Sequence, residues 1–218
     1  MNAAMVFLDV KSAFDRVWHD GLITKLKKLG IKGNLLAWFT SYLGNRSQRV
    51  VLKGTASSSK QIKAGVPQGS ILGPLLFKIF INEFGYNLSS ESFLFADDTS
   101  LLKIYDPLCL DIALMEINND LIKVLEWAKS WRLTYNTSKT VLMLFSPGGK
   151  FPTEKYILFG QDKIFPSIKH THLGLTFSPD LKWTAHIDSI VSASSKHLGL
   201  LRRQSVDLSF AQKCPVYL

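Results

Sequence analysis

Val6-Phe7-Leu8-Asp9-Val10 near the amino terminus and Phe93-Leu94-Phe95-Ala96-Asp97-Asp98 in mid-chain decide how this sequence folds. Both are short apolar runs of the length of a buried strand, and both end in acid. A carboxylate set against a hydrophobic core is costly unless something cationic meets it. Two carboxylates about 4 Å apart repel by roughly 4 kcal/mol at an effective dielectric near 20. Three converging ones need a counter-ion, and hard divalent metal ions, which prefer oxygen ligands, supply it. The pattern points to a metal-dependent site built from Asp9, Asp97 and Asp98. Taken singly, Asp9 reads equally well as a helix cap, and Asp97-Asp98 as a plain hairpin turn.

The 218 residues, 46% of them hydrophobic, suffice for one good core with a small appendage. Twenty-six Lys and Arg against seventeen Asp and Glu leave a net charge of +9. A basic protein whose few acids gather at one place suits a polyanionic partner that brings metal with it. Cys109 and Cys214 lie far apart and form no metal-ligand pattern, which fits a reducing intracellular compartment. Lys78 interrupts the most hydrophobic stretch, so no run reaches membrane-spanning length. No basic segment precedes the first apolar run, as a secretion signal requires. Both ends read as cut, as in a fragment of something longer.

Working outward, Met5 to Val10 reads as the first strand. Helices follow at His19 to Leu29, stopped by Gly30, and from an Asn34 cap to Leu43, stopped by Gly44. Arg49 to Leu52 reads as a strand and Thr55 to Lys60 as a polar loop. Ser70 caps a buried helix through Ile71, Leu76 and Phe80, with Pro74 in its first turn. Two strands flank Asp97-Asp98. The longest helix starts at Asp106-Pro107, with Leu114, Ile117, Leu121 and Val124 inward and Asn118, Asn119 and Asp120 on a solvated face. Strands are expected at Thr140 to Phe145, Tyr156 to Phe159 and His170 to Phe177. A last amphipathic helix runs from Trp183 to Arg203 with Ile187, Ile190, Val191, Leu198 and Leu201 inward. This order is that of an α+β sandwich in which helices cover one face of an antiparallel sheet.

Five spans in order resemble the palm motifs of reverse transcriptases. They are Phe7-Leu8-Asp9-Val10-Lys11-Ser12-Ala13-Phe14-Asp15; Gly65-Val66-Pro67-Gln68-Gly69-Ser70 with Ile71-Leu72-Gly73-Pro74; Phe95-Ala96-Asp97-Asp98; Asn136-Thr137-Ser138-Lys139-Thr140; and His172-Leu173-Gly174. The wording, especially Asp15-Arg16-Val17 and Gly65 to Pro74, is similar to that of non-long-terminal-repeat (LINE-type) retrotransposons. Any one motif is weak; several in register are not.

The resemblance implies a polymerase palm with a ferredoxin-like core over residues 1–177 and the start of a helical thumb over 178–218. It implies an RNA-directed DNA polymerase that adds deoxynucleoside triphosphates to a primer 3′-hydroxyl on an RNA template, with two Mg2+ or Mn2+ ions. By similarity Asp9 and Asp97 ligate metal, Asp98 completes the charge balance, and Val10 contributes backbone at the metal and phosphates. Phe14 packs under the incoming sugar and excludes a 2′-hydroxyl; its ordinary reading is a core phenylalanine. Gln68, between Pro67 and Gly69, meets the nucleotide's sugar or base edge. Ala96 is small where the primer terminus passes, and Leu173-Gly174 grip the primer. Lys139 stands where the family's lysine assists departure of pyrophosphate. Asp15 is expected to pair with Arg16 or Lys11.

His170 and His172 alternate but lack partners at zinc-ligand spacing. The family's fingers, with their triphosphate-holding basic residues, and an endonuclease region are missing from the sequence, so the isolated fragment is expected to be impaired or inert. The resemblance implies a site of action in the nucleus or cytoplasm, the nucleus where integration is target-primed. Two rivals stand beside this reading: a non-catalytic nucleic-acid-binding remnant of a retroelement, and an intron-type or cellular reverse transcriptase.

Overall fold

The computed structural model describes residues 1–204. Cys214 and the expected thumb beyond residue 204 lie outside the described residues. The organising element is strand β1 (Asn2–Asp9). Its even residues Ala4, Val6 and Leu8 are buried in the main core, while Phe7 turns to the opposite face and joins Met143 and Phe145 in a smaller cluster. The period of two thus makes both faces of one strand apolar, as a central strand requires.

Two helices follow, α1 (His19–Lys28) and α2 (Gly33–Leu43). The second begins one residue ahead of the expected Asn34 cap, with Lys32 extended before it. The strand read at Arg49 to Leu52 is present only over Val51–Leu52, and part of the segment read as loop is also strand. The whole is a ribbon of four very short strands, β2 (Ser47–Gln48), β3 (Val51–Leu52), β4 (Thr55–Ala56) and β5 (Lys60–Gln61), nested as β2 on β5 and β3 on β4. The serines and lysines that read as loop belong to a solvent-exposed ribbon.

Helix α3 (Leu72–Ile81) buries Leu76, Phe77 and Phe80. Ser70 does cap it: its Oγ accepts from the Gly73 N–H at 3.0 Å. A hairpin of β6 (Glu91–Phe95) and β7 (Asp98–Tyr105) leads to α4 (Leu110–Ser130), and β8 (Val141–Phe145) completes a four-stranded sheet of order β6-β7-β1-β8. Every pairing in it is antiparallel. Helices α1, α3 and α4 bury Leu22, Leu26, Phe80, Ile117 and Leu121 on the face presented by Val6 and Leu8. The expected α+β architecture is therefore the observed one. Lys25 ties the three helices together: its buried ammonium donates to the Phe80 carbonyl at 2.6 Å, sits 3.3 Å from Glu83 and lies 3.8 Å over the Trp131 ring.

Two hairpins follow, β9 (Ile157–Phe159) with β10 (Asp162–Ile164) and β11 (His170–His172) with β12 (Leu175–Phe177). Helix α5 (Thr184–Gln204) comes last. Its stripe was expected to face inward, yet Ile187, Ile190 and Val191 are 50–57% exposed. A second expectation also fails. Asp120 is not on a solvated face but wholly buried, accepting the backbone N–H groups of Ser89 and Ser90 and the Ser89 hydroxyl at 2.8–3.1 Å. Its neighbour Asn118 accepts from the Leu158 N–H at 2.7 Å and so ties α4 to β9. No helix among the described residues is long and apolar enough to cross a membrane.

Candidate active site

Asp9 closes β1, and its direct partner across the ladder is Asp98, the first residue of β7. The backbone fixes how close the two acids come. The Asp9 carbonyl accepts from the Asn136 N–H at 2.8 Å, on the edge away from β7. In an antiparallel pair a residue's N–H and carbonyl point the same way, so Asp9 and Asp98 form a non-hydrogen-bonded pair, the kind whose side chains lie nearest. Lys11 N–H bonds Thr134 carbonyl at 2.8 Å on the same edge. Val10, between them, therefore directs its own N–H and carbonyl toward the hairpin turn.

That turn is the two-residue loop Ala96-Asp97, between the paired Phe95 and Asp98. Ala96 has φ 54°, a left-handed conformation that costs a residue with a Cβ about 1 kcal/mol or more. The turn sets Asp97 beside Asp98 in sequence but does not bring all three acids into one cleft. Asp98 and Asp9 border a cleft of about 360 Å³ with Lys139, His170, His172 and Leu173. Asp97, in the turn, instead borders a narrow apolar recess on the helix side, with Val10, Phe77 and Trp127. Among the described residues no three acids, histidines or cysteines are grouped so as to hold a metal ion.

Like charges directly opposed across a ladder destabilise it. Lys139 answers part of this, its Nζ 4.0 Å from Asp9 Oδ2, with both groups partly in solvent. The remaining donors are carboxylate oxygens, the chemistry that Mg2+ and Mn2+ prefer. The Asp9–Asp98 pair with Asp97 in the adjoining turn fits such ions by donor type and charge.

The cleft's far wall is the β11–β12 hairpin. Leu173 and Gly174 form its turn, with φ 50° and 81°, as a two-residue primed turn demands. His170 and His172 ring centroids lie 4.3 and 4.8 Å from that of Phe7. Burial, reinforced by His172, holds His170 below the usual histidine range against the opposing pull of Asp98. His172 belongs to the fifth span read from the sequence; His170 was legible only through its alternation with His172.

The second motif is wired to the first. Gly65 N–H bonds Val17 carbonyl at 2.8 Å and Val66 N–H bonds Phe14 carbonyl at 2.9 Å. Gly65 has φ 92°, and a Cβ there would lie 2.9 Å from the Asp15 Cα and carbonyl oxygen, so only glycine fits. Gln68 Nε2 donates to Asp15 Oδ1 at 2.7 Å. Asp15 thus takes an amide partner, not the expected Arg16, whose guanidinium bonds Thr134 at 2.9 Å. Pro67 is the capping anchor, its carbonyl accepting from the Ser70 hydroxyl at 2.7 Å. Gly69 has φ 79° and open space around its Cα. Phe14 is half-buried and stacks on Phe77 with centroids 4.5 Å apart.

Residues 1–199 match the family described as reverse transcriptase (RNA-dependent DNA polymerase). The chain is 32% identical over 205 residues to the probable RNA-directed DNA polymerase from transposon BS of Drosophila melanogaster, covering 90% of this chain and 22% of that protein. It is 33% identical over 201 residues to the RNA-directed DNA polymerase from mobile element jockey of the same species, covering 88% and 21%. The chain thus spans about a fifth of the length of these curated relatives. Among solved structures, a truncated apo telomerase from Candida tropicalis superposes with a TM-score of 0.57 at 18% identity, over 83% of this chain and 35% of that one. That likeness is one of fold.

Proposed function

The chain belongs to the reverse transcriptase family, on its non-long-terminal-repeat retrotransposon branch, and from that premise we propose that it carries the palm chemistry of an RNA-directed DNA polymerase. The observation that supports this most is the opposed pair Asp9–Asp98, set in a cleft with Lys139 and adjoining the strained Ala96-Asp97 turn. The substrates are a deoxynucleoside triphosphate and a primer 3′-hydroxyl on an RNA template.

Asp9, Asp98 and Asp97, with Val10 backbone beside them, would hold two Mg2+ or Mn2+ ions. When bound, such ions polarise the attacking hydroxyl and neutralise the triphosphate. The chain's own residues do the positioning. Lys139, 4.0 Å from Asp9, would neutralise the departing pyrophosphate and give it a proton. Gln68, held by Asp15 through its amide nitrogen, keeps its carbonyl oxygen for the nucleotide, with Pro67 and Gly69 shaping the approach. Phe14, braced by Phe77, closes the space a 2′-hydroxyl would need. Ala96 leaves room for the primer end, and Leu173-Gly174 press on it from the opposite wall. Residues 1–177 serve as palm, and α5 starts the thumb. The site of action follows from the substrates: the nucleus if integration is primed on the target DNA.

A second reading, a nucleic-acid-binding remnant without turnover, is favoured by one observation: no three acids converge among the described residues. A chimaera separates the two. Residues 1–199 replace the matching segment of the jockey polymerase, and extension of a DNA primer on RNA is measured with Mg2+. The polymerase reading expects extension that Asp9→Asn and Asp98→Asn each lower by about a hundredfold or more. A folded chimaera that binds primer-template yet never extends it, or extension indifferent to both substitutions, favours the remnant.

A further inference from the structure

Helix α4 carries two apolar stripes, and the fold accounts for only one. Leu114, Ile117, Leu121 and Val124 are buried in the main core. The second stripe is Leu108, Ile112, Met115, Asn119 and Ile122. It begins in the short turn that leads into the helix and faces away from the core. Leu108 is 98% exposed, and Ile112, Met115 and Ile122 are 54–56% exposed. Single exposed apolar side chains are ordinary on a surface; a continuous line of them marks an interaction site. Their spacing is four, three, four and three residues. That is the period of 3.5 that belongs to a seam between two helices.

The residues beside the stripe indicate what covers it. On one side Asp111 and Asn118 are taken up by Lys155 and the Leu158 N–H. On the other side stand Glu116 and Lys123, seven residues apart and so at the same position of successive heptads. Glu116 lies 2.7 Å from Lys103. Lys123 donates to the Asn87 carbonyl at 2.8 Å, with Asp120 3.6 Å away. Both are held in place with bonding capacity to spare. Opposite charges at equivalent positions complement each other about a two-fold axis. In an antiparallel pair, Glu116 of each copy meets Lys123 of the other. A parallel pair would set the Asp111 side of one helix against the Glu116 side of the other, acid on acid.

We infer that α4 pairs antiparallel with α4 of a second copy of this chain, about a two-fold axis beside Asn119. The charges place the axis, because Asn119 lies midway between Glu116 and Lys123. The two Asn119 amides, each both donor and acceptor, meet there and bond each other. A single polar layer of this kind fixes register in a helical seam. Met115 of each copy comes opposite Ile122 of the other, and Ile112 and Leu108 lie against the aliphatic stems of Glu126 and Lys129. Helix α4 packs on the sheet face of Val6 and Leu8, whereas Phe7, on the opposite face, borders the cleft with Asp9. The two sheets therefore stand back to back with both clefts open, and the pairing asks nothing of the chemistry proposed above.

Sedimentation of the full 218-residue chain over a concentration series tests this. It should show a reversible monomer–dimer equilibrium in the micromolar range, as suits an interface at the small end of the specific class. Ile122→Glu, on the stripe, should leave only monomer. Ile187→Glu, on the exposed stripe of α5, should leave the dimer intact. Glu116→Lys and Lys123→Glu should each weaken dimerisation about tenfold or more, two attractions becoming two repulsions. Mixing those two variants in equal amounts should restore it, because each then meets an opposite charge. The mixture contains the same proteins that fail alone, so its recovery separates lost pairing from lost folding. Asp9→Asn should dimerise like the unaltered chain. A chain that sediments as a monomer at every concentration overturns the inference and leaves the stripe to a different helix. So does a dimer that survives Ile122→Glu or is lost in Ile187→Glu, and so does a mixture that associates no more tightly than its components.

Discussion

Asp9 and Asp98 stand directly opposite one another at the end of the β1–β7 ladder, while the Asp9 carbonyl is engaged on the other edge by the Asn136 N–H at 2.8 Å. This one bond decides that the two carboxylates form a close pair, and it comes from the motif that also carries Lys139. The backbone of one motif thereby sets the side-chain spacing of two others. Asn136→Pro removes that donor; it should impair extension by the chimaera about as much as losing Lys139 does, with a melting temperature lowered by several degrees.

Phe14 stacks on Phe77, so its substitution has two separable effects. Phe14→Val should lower stability by about 1–3 kcal/mol. It should also raise incorporation of ribonucleotides about tenfold or more relative to deoxynucleotides. Steady-state incorporation of each nucleotide class by the chimaera measures the second effect; an unaltered sugar preference would remove Phe14 from the gate.

Gly65→Ala forces a Cβ to 2.9 Å from Asp15 backbone at a φ of 92°. Strain of this kind costs about 1–3 kcal/mol. The displaced Asp15 should release Gln68, so the KM for deoxynucleotide should rise more than kcat falls. A substitution that only lowers the melting temperature would confine Gly65 to folding.

Asp120 offers a pH test independent of catalysis. Burial pushes its carboxyl upward, but the hydrogen bonds from Ser89 and Ser90 outweigh it and hold the group below the ordinary carboxylate value. A carboxyl depressed in the folded state stabilises the fold above its unfolded pKa, about 3.9. That contribution is lost as pH falls through the folded value. Asp120→Asn should therefore melt several degrees below the unaltered chain at pH 7, a loss of about 1–3 kcal/mol. The gap should close progressively below about pH 4. A gap that stays constant down to pH 2 would show that Asp120 acts through shape alone.

How much of this was legible beforehand follows from where each signal is encoded. The first strand, the Ser70 cap and the acidic hairpin rest on spacing within a few residues, and they appear where the local pattern put them, the strand as Asn2–Asp9 instead of Met5 to Val10 and the turn at Ala96-Asp97, one residue early. Asp120 was misread because its partners are thirty or more positions away, at Ser89 and Ser90; next to Asn118 and Asn119 it looked solvated. Asp15 was given a basic neighbour because charge attracts charge, whereas the fold brings the distant Gln68 to it. The stripe of α5 is amphipathic by period, and period alone does not say what covers a face. Of the ribbon only the strand around Val51–Leu52 was legible, because two-residue strands have no periodicity to read.

The most direct measurement is a thermal melt of the chain with and without millimolar Mg2+ or Mn2+, repeated for Asp9→Asn, Asp97→Asn and Asp98→Asn. If the three acids form one ion-holding rim, metal well above its Kd should raise the melting temperature by about 5–10 °C, and each substitution should cancel most of that rise. A melt that ignores metal in the unaltered chain, or a rise that survives in all three variants, would contradict the account.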